Sequence, residues 1–509
     1  MTRATVSLCM IARDEEKNLA QCLKGLAGLV SEIIVVDTGS KDDTRQVAAG
    51  LGAKVFEFPW IDDFSAARNE SWRHASGDFI FWLDADDRID DVNLKRLGEL
   101  FATLTTDPSQ IPVYVMSCIS SSRSGESDVG VSHTRLFPNR PAFRWVGRVH
   151  ERVEFGEAAV HYVHTKIVIR HEGYEDADQL ARKKFRSKRI LEQEYVANPD
   201  DVWNLFYLGR EHHWQGNMSE AIRFFQRSIR LDPLNRHPTT PFALLLAAES
   251  LKKLNRKDEA LRTLDEGLSR IPDFGPLAFT KVCMLREWRR FAEAEQILRR
   301  LLAVPLHQVK QGAMWVDLQR ERWRVMLGHL LHDQGRFSEA RAECRQVLNE
   351  HPDFIEAWFA LGQLEIDLGK PRDAEPIARK LMAFPNGGFE SAVLWSQIAV
   401  IDCKFDDARH WISRALAIRP NDVLAHTVRS VLYFREGLDW EQCRQAHEAL
   451  LSVDPNHHEA RQRLQQIHAR LASRKPAMSV NEPGNVLGVD PSRVPLSNLG
   501  AGCGLAFSC

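Results

Sequence analysis

The sequence predicts an α/β domain built on a mostly parallel sheet, followed by an all-α solenoid. Three observations carry this. Residues 1–170 alternate short β-branched runs with helical or turn segments, the pattern of a parallel sheet covered on both faces. Residues 200–472 are nearly all helical in pattern and repeat. At ~100–200 residues per domain, a chain of 509 residues holds two or three domains.

The strands come first. Thr5–Ile11 (TVSLCMI), Glu32–Val36 (EIIVV), Ala53–Phe58 and Asp78–Leu83 (DFIFWL) are strand-like and end in polar residues. Between the first two, Glu15–Leu29 carries Leu19, Cys22, Leu23 and Leu26 at helical spacing. Open α/β sheets bind ligands at the carboxyl ends of their strands. Here those ends hold Asp14–Glu15, Asp37 and Asp84–Asp87.

The second half has a fixed period. Ala340, Ala374 and Ala408 are 34 residues apart, as are Ala260 and Ala294, and Gly328 and Gly362. Leu208–Gly209, Ala221 and Pro233 fall at matching offsets. A 34-residue period with early Leu-Gly, central Ala and late Pro resembles the tetratricopeptide repeat. About seven repeats are expected: 202–235, 241–274, 275–303, 321–354, 355–388, 389–422 and 423–457. An insertion at 304–320 contains Trp315, and a helix over 459–472 caps the stack. The expected domains are a sheet domain over 1–175, a linking helix in 176–200, repeats over 201–472 and a disordered Pro/Gly/Ser-rich tail over 473–509.

Composition excludes some functions. A net charge of −2 argues against coating nucleic acid through bulk charge. No apolar run approaches the ~18–20 residues of a membrane span. The opening MTRATVSLCMIARDEE turns acidic at residue 14, too soon for a signal peptide. Nine scattered cysteines without a CxxC pair point to a reducing cytoplasm and give no spacing for zinc. The expected location is cytoplasmic, or peripheral at the inner membrane.

Four clusters carry candidate chemistry. Asp84-Ala85-Asp86-Asp87 crowds carboxylates that repel unless a cation sits among them, and oxygen ligands suit Mg²⁺ or Mn²⁺. A solvated loop after a strand has the same composition. Asp37 ends its strand where a carboxylate can bind a base or ribose, while Ser40, Asp42 or Asp43 fits as a helix cap. Arg68, in FSAARN, has the fork for a diphosphate, although a surface ion pair is the commoner fate of a lone Arg. His150–Glu151 offers an acid/base pair and His171 a nitrogen ligand, against the commoner structural role of single histidines.

Together MIARDEEKNLAQCL, EIIVVDTGSKDDT, FSAARNES, GDFIFWLDADD and RLFPN…FRWVGRVHE resemble the nucleotide-sugar-dependent family-2 glycosyltransferases of GT-A fold, over about residues 4–175. Followed by tetratricopeptide repeats, the arrangement looks like a bacterial one that includes peptide glycosyltransferases. The resemblance implies that Asp37 contacts the nucleoside and that Ala12, Arg13 and Glu15 lie in the first nucleotide-binding loop. Asp84 and Asp86 match the DxD pair around Ala85, with Asp86 the more direct metal ligand, and His171 matches a late metal-binding histidine. Asp14 and Asp87 depart from the family's usual Asn and Glu.

The implied reaction is inverting transfer from a nucleotide-sugar, by default a UDP-sugar, to a peptide, protein or glycan, aided by Mg²⁺ or Mn²⁺. Glu151 is the first candidate for the base and Asp176 the second. The repeats then bind acceptor or partner protein in their concave groove. Two rivals remain: a nucleotidyltransferase, which would more often show a Gly-rich phosphate loop near the first strand, and an inactive scaffold serving the repeats.

Overall fold

The computed structural model describes residues 4–106, 111–120, 129–172, 177–305 and 319–473. Its N-terminal half contains, in chain order, β1 (Val6–Ala12), α1 (Glu16–Leu23), β2 (Glu32–Asp37), α2 (Thr44–Gly50), β3 (Lys54–Glu57), α3 (Phe64–Arg73), β4 (Phe79–Trp82), β5 (Asp87–Arg88) and α4 (Asp91–Thr103). β6 (Pro112–Ser120), β7 (Val129–Pro138), β8 (Arg144–Val146), β9 (Arg152–Glu154) and β10 (His161–His171) follow. Eight strands make one sheet in the order β3-β2-β1-β4-β7-β6-β10-β5. The first four are parallel. β7 then runs antiparallel to both β4 and β6, so the sheet is mixed beyond its leading half.

Period-2 alternation splits each central strand between two cores. Leu8, Met10, Val35 and Phe81 pack with Leu19, Leu23, Leu97 and Phe101 on one face. Cys9, Ile34, Ile80 and Trp82 pack with Trp72, Phe137 and Trp145 on the other. α1 stops at Leu23, six residues short of the expected end. Gly25 and Gly28 adopt φ of +80° and +90°, a left-handed backbone that breaks a helix and that glycine tolerates best.

α5 (Ala177–Ala197) leads into the solenoid, which begins with α6 (Val202–Trp214) and α7 (Met218–Leu231). Further helix pairs span 240–270, 275–303, 319–350, 355–382, 388–418 and 423–453, and His458–Ser473 comes last. The period has a packing cause. Ala221, Ala260, Ala294, Ala340, Ala374 and Ala408 are all buried, with Cys443 taking the same place in the final pair. A Cβ on Gly209 would lie 2.6 Å from Phe225 Cε1, so the Phe225 ring of α7 packs directly on the α6 backbone at this glycine and any side chain there would have to displace it. Most of the 304–320 insertion, Trp315 and the tail lie outside the described residues. No helix among the described residues is long and apolar enough to cross a membrane.

The two halves share a core. Val149, from the loop between β8 and β9, packs with Ile190, Leu191, Leu205, Leu208 and Phe224, joined by Trp60, Phe64 and Tyr207. The sheet domain is therefore seated on α5 and the first repeat.

Candidate active site

The site is built on strand tips. β1 pairs with β2 in a register that sets Ala12 beside Asp37. The Ala12 carbonyl accepts from the Thr38 N–H at 2.9 Å. Beyond it the two tip loops are stitched together. The Asp14 N–H donates to Ser40 Oγ (2.9 Å), Lys41 N–H to Asp14 Oδ1 (2.7 Å), Glu15 N–H to Thr44 Oγ1 (2.7 Å) and Glu16 N–H to Asp42 Oδ2 (3.1 Å). Asp14 holds a φ of +56° to do this. Ser40 is thus a bridge between loops, and Asp43 sits at the α2 N-cap without a side-chain cap bond. Of the three expected caps Asp42 fills the role: its Oδ1 accepts from the N–H of Thr44 (3.1 Å), the first residue of α2. Arg13 is exposed at the rim, and Glu15 accepts from Asn18 Nδ2 (2.8 Å).

Asp37 is buried. Its Oδ1 accepts from the N–H groups of Gly39 (3.1 Å) and Ser40 (3.0 Å), which fixes the carboxylate. Its Oδ2 is buried with no hydrogen-bond partner, a costly arrangement for a charged acceptor.

The second feature follows β4. Asp84, Asp86, Asp87 and His171 bring one ligand atom each to within 4.8 Å of one another. Three carboxylates and an imidazole form a donor set that fits Mn²⁺ or Mg²⁺. β10 delivers His171, because its last residue pairs with Asp87 of β5. His171 Nδ1 lies 3.0 Å from Asp87 Oδ1 and 3.3 Å from Asp86 Oδ1. Burial disfavours the imidazolium, but the Asp87 hydrogen bond and the charges of Asp86 and Asp84 outweigh it and raise the His171 pKa. The Ala85 carbonyl accepts from Arg88 (3.0 Å), which also reaches Asn18 Oδ1 (2.8 Å) and so ties this loop to α1.

Arg68 connects the parts. From α3 its Nε donates to Glu151 Oε1 (2.7 Å) and its guanidinium to Asp84 Oδ1 (2.8 Å). The group is buried beside the rings of Trp82 (4.4 Å to the centroid) and Trp145 (5.0 Å), which meet each other edge to face at 5.1 Å. Burial pushes the Asp84 carboxyl upward, yet Arg68, Arg135 and His171 overcome that and hold it well below the usual carboxylate range. The fork expected to meet a diphosphate is engaged by two carboxylates instead. Sequence could not show this, since Arg68 and Glu151 are 83 residues apart.

His150 and Glu151 do not form a pair. His150, at φ +54°, turns into the domain junction. There it stacks on Tyr207 (centroids 3.8 Å apart) and accepts from Arg210 at Nε2 (3.0 Å). Trp203 Nε1 donates to its carbonyl (3.2 Å). Burial, then Arg210, pushes its pKa well below the ordinary histidine value. Asp176 lies outside the described residues.

Arg135, to which the sequence analysis assigns no role, holds the cluster through Asp87. Buried Asp87 accepts from Arg135 (2.9 Å) and from the Asp84 N–H (2.9 Å). Arg135 lies over Trp82, 3.8 Å from its centroid. RLFPN is part of the family-like pattern, so Arg135 was visible there, but nothing local joined it to Asp87.

The fold and site define a class. The Glycosyl transferase family 2 profile matches residues 7–125 and a Tetratricopeptide repeat profile matches residues 331–384. The chain carries a family-2 glycosyltransferase domain of GT-A-like fold at its N-terminus and tetratricopeptide repeats toward its C-terminus.

Among curated proteins, it is 35% identical over 237 residues to a TPR repeat-containing protein of Synechococcus elongatus, covering 45% of this chain and 57% of that one. It is 25% identical over 237 residues to the SPbeta prophage-derived glycosyltransferase SunS of Bacillus subtilis, covering 44% and 53%. The chain spans about half the length of these curated relatives. A solved tetratricopeptide repeat protein from Parabacteroides merdae is 17% identical with a TM-score of 0.39, over 49% of this chain and 93% of that one.

Proposed function

We propose that the chain is a metal-dependent, inverting glycosyltransferase. It moves a sugar from a nucleotide-sugar, by default a UDP-sugar, to a peptide, protein or glycan, and its repeats recognise the acceptor or a partner protein. The observation that carries this is the convergence of Asp84, Asp86 and His171 at one strand tip, on a sheet edge where Asp37 keeps a buried oxygen without a partner.

Each residue has a task in this reading. Asp37 Oδ2 accepts from the base or ribose, with Ala12, Arg13 and Glu15 shaping the loop beside it. Asp84, Asp86 and His171 hold Mg²⁺ or Mn²⁺, and Asp87 with Arg135 keeps them in register. The ion, when bound, offsets charge on the leaving diphosphate. Glu151 takes the acceptor's proton. Arg68 binds it through Oε1, which leaves Oε2 for the acceptor's proton, and links the base to Asp84. Asp176 is the alternative base. The relatives support a bacterial setting, with the protein working in the cytoplasm or at the inner membrane surface.

The test is a nucleotide-sugar panel with and without Mn²⁺, read by thermal shift and by release of nucleoside diphosphate. Bound donor raises stability by mass action, and Asp86→Asn should remove the Mn²⁺ dependence. If no donor shifts or turns over, the inactive-scaffold reading replaces this one.

A further inference from the structure

With Arg68 engaged by Glu151 and Asp84, the donor's diphosphate needs another cation besides the metal. α5 carries one to the rim of the site. The Arg186 guanidinium lies 5.0 Å from the Phe64 ring centroid and 5.7 Å from that of Trp60. Phe64 stands one helical turn before Arg68 on α3, and its N–H donates to the Arg148 carbonyl (2.8 Å) in the loop that leads to Glu151. Arg186 therefore overlies the start of α3, close to the Arg68–Glu151 pair.

Nearby acids are otherwise occupied. Asp62 accepts from Arg189 (2.7 Å) and from Trp60 Nε1 (2.9 Å). Arg148 and its neighbour Glu194 pair with each other (3.0 Å). Among the described residues Arg186 has no ion-pair partner, and its Nε is buried without a hydrogen bond. Burial and then the positive charge of Arg13 lower its pKa, with Asp62 and Glu151 offsetting part of the effect. Contact with the two rings explains where the stem lies. It does not explain a cation half-removed from water with no carboxylate paired to it among the described residues, because an unpaired charge there is unfavourable unless an anion joins it.

We infer that Arg186, lying over the start of α3 with its Nε buried and unpaired, forms an anion site that takes the diphosphate of the nucleotide-sugar donor. This rests on the donor reading above. The planar fork suits adjacent phosphate oxygens. The site draws on both the sheet domain and α5, so the linking helix is part of the donor pocket.

The probe is inorganic pyrophosphate at saturating Mn²⁺, titrated calorimetrically into the full chain, with Mn²⁺ alone as control. Arg186→Met keeps the stem over Phe64 and Trp60 and should weaken pyrophosphate about tenfold to a hundredfold, the usual worth of charge-assisted hydrogen bonds. Mn²⁺ alone should bind unchanged. Arg186→Lys, a point charge without the fork, should fall between. If Arg186→Met does not fold, Arg186→Gln answers the same question.

A wild-type chain that binds Mn²⁺–pyrophosphate, with an Arg186→Met variant within about twofold of it, overturns this assignment and leaves the donor site standing. A wild-type chain that binds neither Mn²⁺ nor pyrophosphate overturns the donor reading and this inference together.

Discussion

Replacing Arg68 with Met tests how the site is held before any substrate is present. The change removes one buried cation and releases two carboxylates. Breaking a buried ion pair from one side costs about 3–5 kcal/mol, because the partner stays buried and unpaired. The side chains are unequally sheltered here: Arg68 is 7% exposed, Glu151 14% and Asp84 30%. Asp84 can hydrate once freed, so most of the penalty falls on Glu151. Lost cation–π contact with Trp82 and Trp145 adds about 1 kcal/mol, and the Met stem retains part of the packing. The expected loss is about 3–4 kcal/mol, read from urea unfolding of the sheet domain followed by near-UV circular dichroism.

The discriminating measurement is a double-mutant cycle. Glu151→Gln in the Arg68→Met background removes the stranded charge, so the double variant should recover about 1–2 kcal/mol relative to the sum of the singles. Additivity within about 0.5 kcal/mol would mean the two groups do not interact energetically, and the reasoning from geometry would be wrong.

Glu151→Gln alone keeps an acceptor for Arg68 but cannot take a proton. It should lower transfer about 10²–10⁴-fold while Mn²⁺–pyrophosphate binding, measured calorimetrically, stays intact; near-normal turnover removes Glu151 from the role. In the solenoid, the carboxylates of Asp333 and Asp367, 3.7 and 2.9 Å from the His332 ring nitrogens, raise the His332 pKa to about 9, with His329 and Arg286 also close by. A raised folded-state pKa gives stability that is complete below the unfolded value of about 6.5 and fades as pH climbs toward 9. His332→Gln should therefore flatten the fall in Tm across that interval, and an unchanged slope would assign it to other groups. Gly209→Ala drives a methyl to 2.6 Å from Phe225 Cε1 and should cost about 1–3 kcal/mol by chemical denaturation; a neutral result would show that Phe225 can move aside.

What was legible in the sequence follows the range of the interaction. β1, β2 and β4 announce themselves because each is a continuous apolar run between polar ends, buried on two faces. The solenoid is legible because helix pairs need a small residue at one contact, so Ala recurs at 34-residue steps from Ala260 to Ala294 and from Ala340 through Ala374 to Ala408. Helix ends are less legible: the apolar spacing of α1 continues past Gly25 and Gly28, whose left-handed backbone is a local conformational choice that such spacing does not register. The site split the same way. Asp37, Asp84 and Asp86 stood out as acids at strand tips. The Arg135–Asp87 pair, the contacts of Arg68 with Trp82 and Trp145 and the loop-bridging use of Ser40 depend on segments brought together only by folding. His150 shows the limit best, since its neighbour Glu151 suggested chemistry while its partners Tyr207 and Arg210 lay in the first repeat.

That first repeat bears on how such proteins can be recombined. The turn bearing Glu151 rests on side chains of α6, so a graft that cuts after the sheet would discard the surface that shapes it. A transplantable unit runs through α7, and exchange of recognition specificity belongs in the helix pairs beyond it. Lineages that shuffle their solenoids would then be expected to keep this opening pair as a fixed collar.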